Sequence, residues 1–136
     1  MATSEIIYKG NLRTEATHLR SGNKIITDAP VDNQGRGEYF SPTDLVATAL
    51  GSCMITILGI SARDQGFDID GTQLTITKIM TENPRRIGEI VVELIFPHDS
   101  YTDQQRRLIE YTTTHCPVAQ SLHPDVKKTI MITYQK

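Results

Sequence analysis

The segment that most constrains this chain runs from Ser41 to Gly66. Ser41-Pro42-Thr43-Asp44 places an N-cap serine, a proline at the first helical position and an acid three residues after the cap. That is a capping box, and it sets negative charge against the positive end of a helix. Gln65-Gly66 supplies the stop. In between, Leu45, Val46, Leu50, Met54, Ile55, Leu58 and Ala62, together with small residues, occupy nearly every face. The predicted helix is therefore buried rather than amphipathic. A chain of 136 residues suits one domain with one core, and such a helix belongs at its centre. Few other elements are available to cover it, and a homodimer that packs two central helices together would supply the missing cover. The stretch from Leu45 to Ile60 is broken by Thr48, Gly51, Ser52, Thr56 and Gly59, and reads as too short and too mixed for a membrane span.

Around this helix the sequence predicts short strands over Glu5 to Tyr8, Leu12 to Thr17 and Lys24 to Asp28. Asn11 and Ser21-Gly22-Asn23 turn between them, which gives an antiparallel meander. Pro30, Asn33, Gly35 and Gly37 mark Ala29 to Phe40 as a loop. After the helix, Thr72 to Thr81 and Ile87 to Phe96 alternate as strands about a turn at Asn83-Pro84. Thr102-Asp103 opens a second helix that carries Leu108, Ile109 and Tyr111 and runs to Pro117. A short helix follows from Pro117 to about Leu122, and Val126 to Tyr134 closes the chain as a strand. This order implies an α+β fold, with antiparallel sheets around a long buried helix and one domain over 1–136.

Several function classes fall away on composition. The net charge is −2, with 14 basic and 16 acidic residues and no basic run, so no nucleic-acid partner is expected. The opening Met-Ala-Thr-Ser-Glu lacks the layout of a secretory signal, and a cytoplasmic protein with no membrane partner is expected. His98, His115, His123 and the cysteines are metal-ligand types, but none stands at the short spacings of a structural zinc site. No metal and no cofactor are expected.

Two cysteines, 63 positions apart, remain. They do not form a disulfide framework of the kind that staples small secreted domains. In a reducing compartment they rest as thiols, and a disulfide between them is transient, hence catalytic or sensory. Cys53 lies mid-helix in Gly51-Ser52-Cys53-Met54, where a cysteine commonly serves as a small buried hydrophobe. Cys116 lies in His115-Cys116-Pro117-Val118, at the start of the short helix. Backbone N–H groups there, and a charged His115, would favour a thiolate; the alternative is an ordinary thiol in a helix connection.

The motifs around both cysteines are more specific than their positions. Ser41-Pro42-Thr43-Asp44-Leu45 followed by Ala49-Leu50-Gly51-Ser52-Cys53 resembles the start of the central helix in the OsmC/Ohr family, the osmotically inducible and organic-hydroperoxide-resistance proteins. His115-Cys116-Pro117-Val118 resembles that family's second cysteine motif. Gly10-Asn11-Leu12-Arg13-Thr14-Glu15-Ala16, the Asp28-Ala29-Pro30 segment and the order of elements are also similar. The resemblance spans nearly the whole chain.

That resemblance implies an intertwined OsmC-like α+β homodimer with active sites between subunits. It implies a peroxidatic Cys53 that becomes a sulfenic acid on attacking an organic hydroperoxide. It also implies a resolving Cys116, and a dithiol reductant such as a lipoyl group. A guanidinium is needed to hold the attacking sulfur as a thiolate against an apolar surround. Arg13 stands where the organic-hydroperoxide branch carries its arginine, and Arg36 in Gly35-Arg36-Gly37 is the loop alternative. The peroxidase branches place glutamate directly after the proline, whereas this chain has Thr43 there and Asp44 next. A step of one residue turns about 100° around a helix, so Asp44 serves either as the acid that anchors the arginine or as the capping-box acid. Relatives with an acid at that later position form a less characterised branch, and this sequence looks closest to them. The rival readings are a redox-responsive or small-molecule binding dimer with little turnover, and a structural dimer with inert thiols.

Overall fold

A computed structural model describes residues 1–136. The chain divides into two compact units, Met1–Val46 and Ala47–Lys136.

The first unit is built on a three-stranded antiparallel sheet of β1 (Ser4–Gly10), β2 (Arg13–His18) and β3 (Lys24–Asp28), in that order. Asn11 and Leu12 sit at φ 55° and 64°. Two successive left-handed residues match the twist of a tight hairpin, which is why β2 begins at Arg13 and not at Leu12. The second turn closes through His18 N–H to Asn23 O at 2.8 Å and Gly22 N–H to His18 O at 2.7 Å. Its register sets Thr17 against Lys24, Glu15 against Ile26 and Arg13 against Asp28. Arg13 and Asp28 are thus cross-strand partners on one face.

Beyond β3 the chain folds back on itself, through a 3-10 turn at Val31–Asn33. Gly35 N–H reaches Pro30 O at 2.9 Å, Gly37 N–H reaches Ala29 O at 3.2 Å, and Asp28 N–H reaches Phe40 O at 3.1 Å. The path requires glycine at 35, where a Cβ would lie 1.7 Å from the Ala29 carbonyl oxygen.

Helix α1 spans Pro42–Gln65. Its capping box is reciprocal: Ser41 N–H donates to Asp44 Oδ2 at 3.0 Å, and Asp44 N–H donates to Ser41 Oγ at 3.0 Å. In the second unit α1 buries Ala47, Leu50, Gly51, Met54, Leu58 and Ala62. These positions recur at helical spacing, so they form one stripe. Ala49, Ser52, Thr56 and Ile60 stay exposed. Burial on nearly every face, as the sequence predicts, is therefore not reached within one chain. At 24 residues, α1 is also long and apolar enough to cross a membrane by length and composition, contrary to the sequence reading of a stretch too short for one. That reading stopped at Ile60, before the helix does.

The second sheet orders β4 (Gln73–Thr81), β5 (Arg86–Phe96) and β6 (Lys127–Tyr134), with β5 central. β5 sends Ile90, Val92, Leu94 and Phe96 inward at a period of two, and they pack in one core with Leu50, Met54, Leu58, Ile109 and Cys116. β4 and β5 pair antiparallel, as expected, but β6 runs parallel to β5. The expected all-antiparallel sheet is corrected here to a mixed one. Parallel neighbours need a crossover of a dozen or more residues, and helices α2 (Asp103–Thr113) and α3 (Pro117–Ser121) provide it.

Thr102 and Gln105 cap α2 reciprocally. The helix stops at Thr113 and does not reach Pro117. The Thr113 and Thr114 hydroxyls donate back to Glu110 O and Tyr111 O, and the residue before a proline avoids the helical region. Cys116 is accordingly extended, at φ −96° and ψ 156°.

Candidate functional site

The second unit brings the two cysteines together. Cys53 projects from the middle of α1 and is partly exposed, and Cys116 is fully buried. Both are free thiols, and Cys53 packs against the buried core to which Cys116 belongs, close enough to act on its thiol. Cys116 is also the N-cap of α3: its Sγ accepts from Ala119 N–H at 3.4 Å, and Pro117 follows at the first helical position. Burial pushes the Cys116 thiol up, the Ala119 N–H pulls it partly back, and the hydrogen bond and charge of Cys53 push it up again. The expectation that the helix start favours a thiolate at Cys116 is thereby reversed. Loss of hydration outweighs the Ala119 and Val118 N–H groups.

His115, expected to lend its charge to Cys116, is turned toward the end of α2. Its Nδ1 lies 2.7 Å from Tyr111 O and 2.8 Å from Thr114 Oγ1, and its ring stacks on Tyr111 with centroids 4.1 Å apart. A carbonyl only accepts, so Nδ1 carries the proton of that bond.

The first unit holds both candidate arginines. Arg13 grips Asp28 with two parallel bonds, Nε to Oδ1 at 2.7 Å and Nη2 to Oδ2 at 2.9 Å, and Nη2 also reaches Glu38 Oε1 at 2.8 Å. Tyr39 lies beneath the guanidinium, 4.8 Å from the ring centroid. The Asp28 carboxylate is buried and accepts a further bond from Glu38 N–H at 3.2 Å. Hydrogen bonds and charge from Arg13 hold the Asp28 carboxyl below its ordinary value against the opposing effect of burial. The same contacts keep Arg13 firmly charged. Arg36, half exposed, approaches Glu38 Oε1 at 3.7 Å. The expected anchoring acid, Asp44, lies in its own helix cap, and the carboxylates on Arg13 are Asp28 and Glu38.

Comparison with known proteins fits this arrangement. A family model described as OsmC-like protein matches residues 35–131, most of the chain. The chain belongs to the OsmC-like family. A crystal structure from Psychrobacter arcticus 273-4, provisionally described as an osmotic stress induced and detoxification response protein, is 52% identical. It superposes with a TM-score of 0.92 over 97% of this chain and 96% of that one. Two more distant structures share the fold. An OsmC-like protein from Mycoplasma pneumoniae is 15% identical, with a TM-score of 0.77 over 98% and 96% of the two chains. An organic hydroperoxide resistance protein OsmC from Legionella pneumophila is 14% identical, with a TM-score of 0.73 over 98% of each. No curated protein matches.

Within this OsmC-like chain, sequence reasoning passed over Asp28 and Glu38. For Asp28 a signal was present. The turn at Ser21-Gly22-Asn23 sets a register that pairs Thr17 with Lys24, and counting along it sets Arg13 opposite Asp28. Glu38 reaches Arg13 only because the loop folds back, and no local pattern announces that.

Proposed function

We propose that this OsmC-like protein is a cytoplasmic, homodimeric, thiol-dependent reductase of organic hydroperoxides. The observation that carries the reading is that two free thiols meet at one core, the partly exposed Cys53 packing against the cluster in which Cys116 is fully buried. The Cys53 thiolate attacks one peroxide oxygen, the O–O bond breaks, and the departing alkoxide takes a proton to leave as the alcohol. Cys53 becomes a sulfenic acid. The Cys116 sulfur then displaces the hydroxyl, so that an S–S bond forms and water leaves. A dithiol, such as a reduced lipoyl group, supplies two electrons and two protons and ends as its own disulfide. Arg13, permanently charged, is the partner proposed to favour the thiolate, and the exposed Ala49, Ser52, Thr56 and Ile60 face of α1 is what a second copy would cover.

A second reading, a redox-responsive dimer with little turnover, is favoured by the pairing of Arg13 with two carboxylates and by Thr43 at the glutamate position. One assay separates the two. Consumption of cumene hydroperoxide with dihydrolipoamide is expected to be rapid in wild type and lost in Cys53→Ser. Equal rates in both proteins would sink the peroxidase mechanism, and a reversible disulfide without turnover would establish the second reading.

A further inference from the structure

Arg13 is gripped by two carboxylates of different standing. Asp28 is buried, is fixed by strand register, and takes both parallel bonds. Glu38 is 58% exposed at its side chain and meets Arg13 through a single bond at 2.8 Å. No residue of the 3-10 turn that leads to it is buried, and Val31 there is 76% exposed. Glu38 is nonetheless delivered by construction: Gly35 packs on the Ala29 carbonyl, Gly37 sits at φ 63°, and Phe40 O accepts from Asp28 N–H.

Of the five guanidinium N–H groups, Asp28 occupies one on Nε and one on Nη2, and Glu38 takes the other on Nη2. With Glu38 seated, the charge of Arg13 is opposed by two negative groups, and Arg36 at 3.7 Å holds Glu38 in turn. We infer that Glu38 is a positioning residue that masks Arg13: the loop seats its carboxylate as a displaceable cover over Nη2, and the two-pronged Nη1–Nη2 face of the guanidinium opens to an incoming oxygen only when that cover lifts. Asp28 keeps the guanidinium in place meanwhile. This rests on the role proposed for Arg13 above and adds the group that governs its availability.

The test is phenylglyoxal modification of the full-length protein, with arginines mapped by mass spectrometry and Arg13 read against the exposed Arg20 as internal control. Glu38→Ala is expected to speed Arg13 modification by about threefold to tenfold relative to Arg20, the scale of losing one charge-assisted hydrogen bond. Acetate added to that variant should slow Arg13 again, while chloride at the same ionic strength should not. Gly35→Ala, which retains the Glu38 carboxylate but displaces its loop, should also speed Arg13. An unchanged Arg13 rate in Glu38→Ala, or the absence of acetate rescue, overturns the inference. Alkylation of Cys53 in the same variant separates this inference from the reading it rests on. Faster Arg13 modification with unchanged Cys53 alkylation would uphold the masking and remove Arg13 from the thiol chemistry.

Discussion

Tyr134 offers a stability test that can be worked from the coordinates. Its ring stacks on Phe96 with centroids 5.3 Å apart, and the Arg106 guanidinium lies 4.1 Å from its centroid. Its hydroxyl is buried and has no hydrogen-bond partner within the protein. An unsatisfied buried polar group costs about 1–3 kcal/mol. Tyr134→Phe removes that cost and keeps the ring contacts. It leaves a hydroxyl-sized void of roughly 10 Å³, worth about 0.2 kcal/mol at about 24 cal/mol per Å³. A net stabilisation of about 1 kcal/mol is expected near the lower end of that range. With an unfolding entropy of about 2.1 cal/mol/K per residue, the melting temperature of a chain this size should rise by about 3–4 °C.

The pH dependence adds a second handle on the same substitution. Burial raises the Tyr134 phenol above its ordinary value of about 10. A raised group contributes stability that is complete below the unfolded value and is lost as pH rises through the folded one. Wild type should therefore lose stability above about pH 10, and the gap to Tyr134→Phe should widen there. Calorimetry at pH 7 and pH 10.5 measures both effects. A lower melting temperature in Tyr134→Phe at pH 7 would refute the reasoning, because it would mean that the hydroxyl is satisfied.

Two further predictions follow the same logic. The Asp28 carboxyl is held low chiefly by its hydrogen bonds to Arg13, so its contribution is present above its unfolded value of about 3.9 and is lost as pH falls. Asp28→Asn should melt below wild type at pH 7 and converge on it toward pH 3, whereas parallel melting curves across that range would contradict the assignment. Burial and the neighbouring Cys53 raise the Cys116 thiol, so iodoacetamide at pH 8 should label Cys116 far more slowly in the native protein than in urea. Equal labelling rates would show that Cys116 is neither shielded nor shifted.

Much of the scaffold was legible because its signals are local. Ser41 and Asp44 cap a helix through atoms three residues apart, and Asn11 and Gly22 mark turns by backbone conformation alone. The pairing of Cys53 with Cys116 came from resemblance, since no periodicity links residues 63 apart. What stayed hidden depends on tertiary placement. The parallel β6 looks like any alternating strand until its partner is known. The depth of Cys116 decides its protonation more strongly than its helix cap does, and depth is not written in four residues. Asp44 reads in the sequence as either the arginine's anchor or the capping-box acid; its part in the cap is a local signal, whereas the pairing of Asp28 with Arg13 depends on a strand register fixed by a turn.

Cys116 joins two duties in one atom. The sulfur that accepts the Ala119 N–H begins a helix of only five residues, and it belongs to the core against which Cys53 packs. Whatever bond that atom forms next is also a change in how Pro117–Ser121 is held at its first turn. Under the proposed chemistry, a disulfide at that sulfur would draw it away from the Ala119 N–H, so oxidation and the first turn of a five-residue helix would be linked.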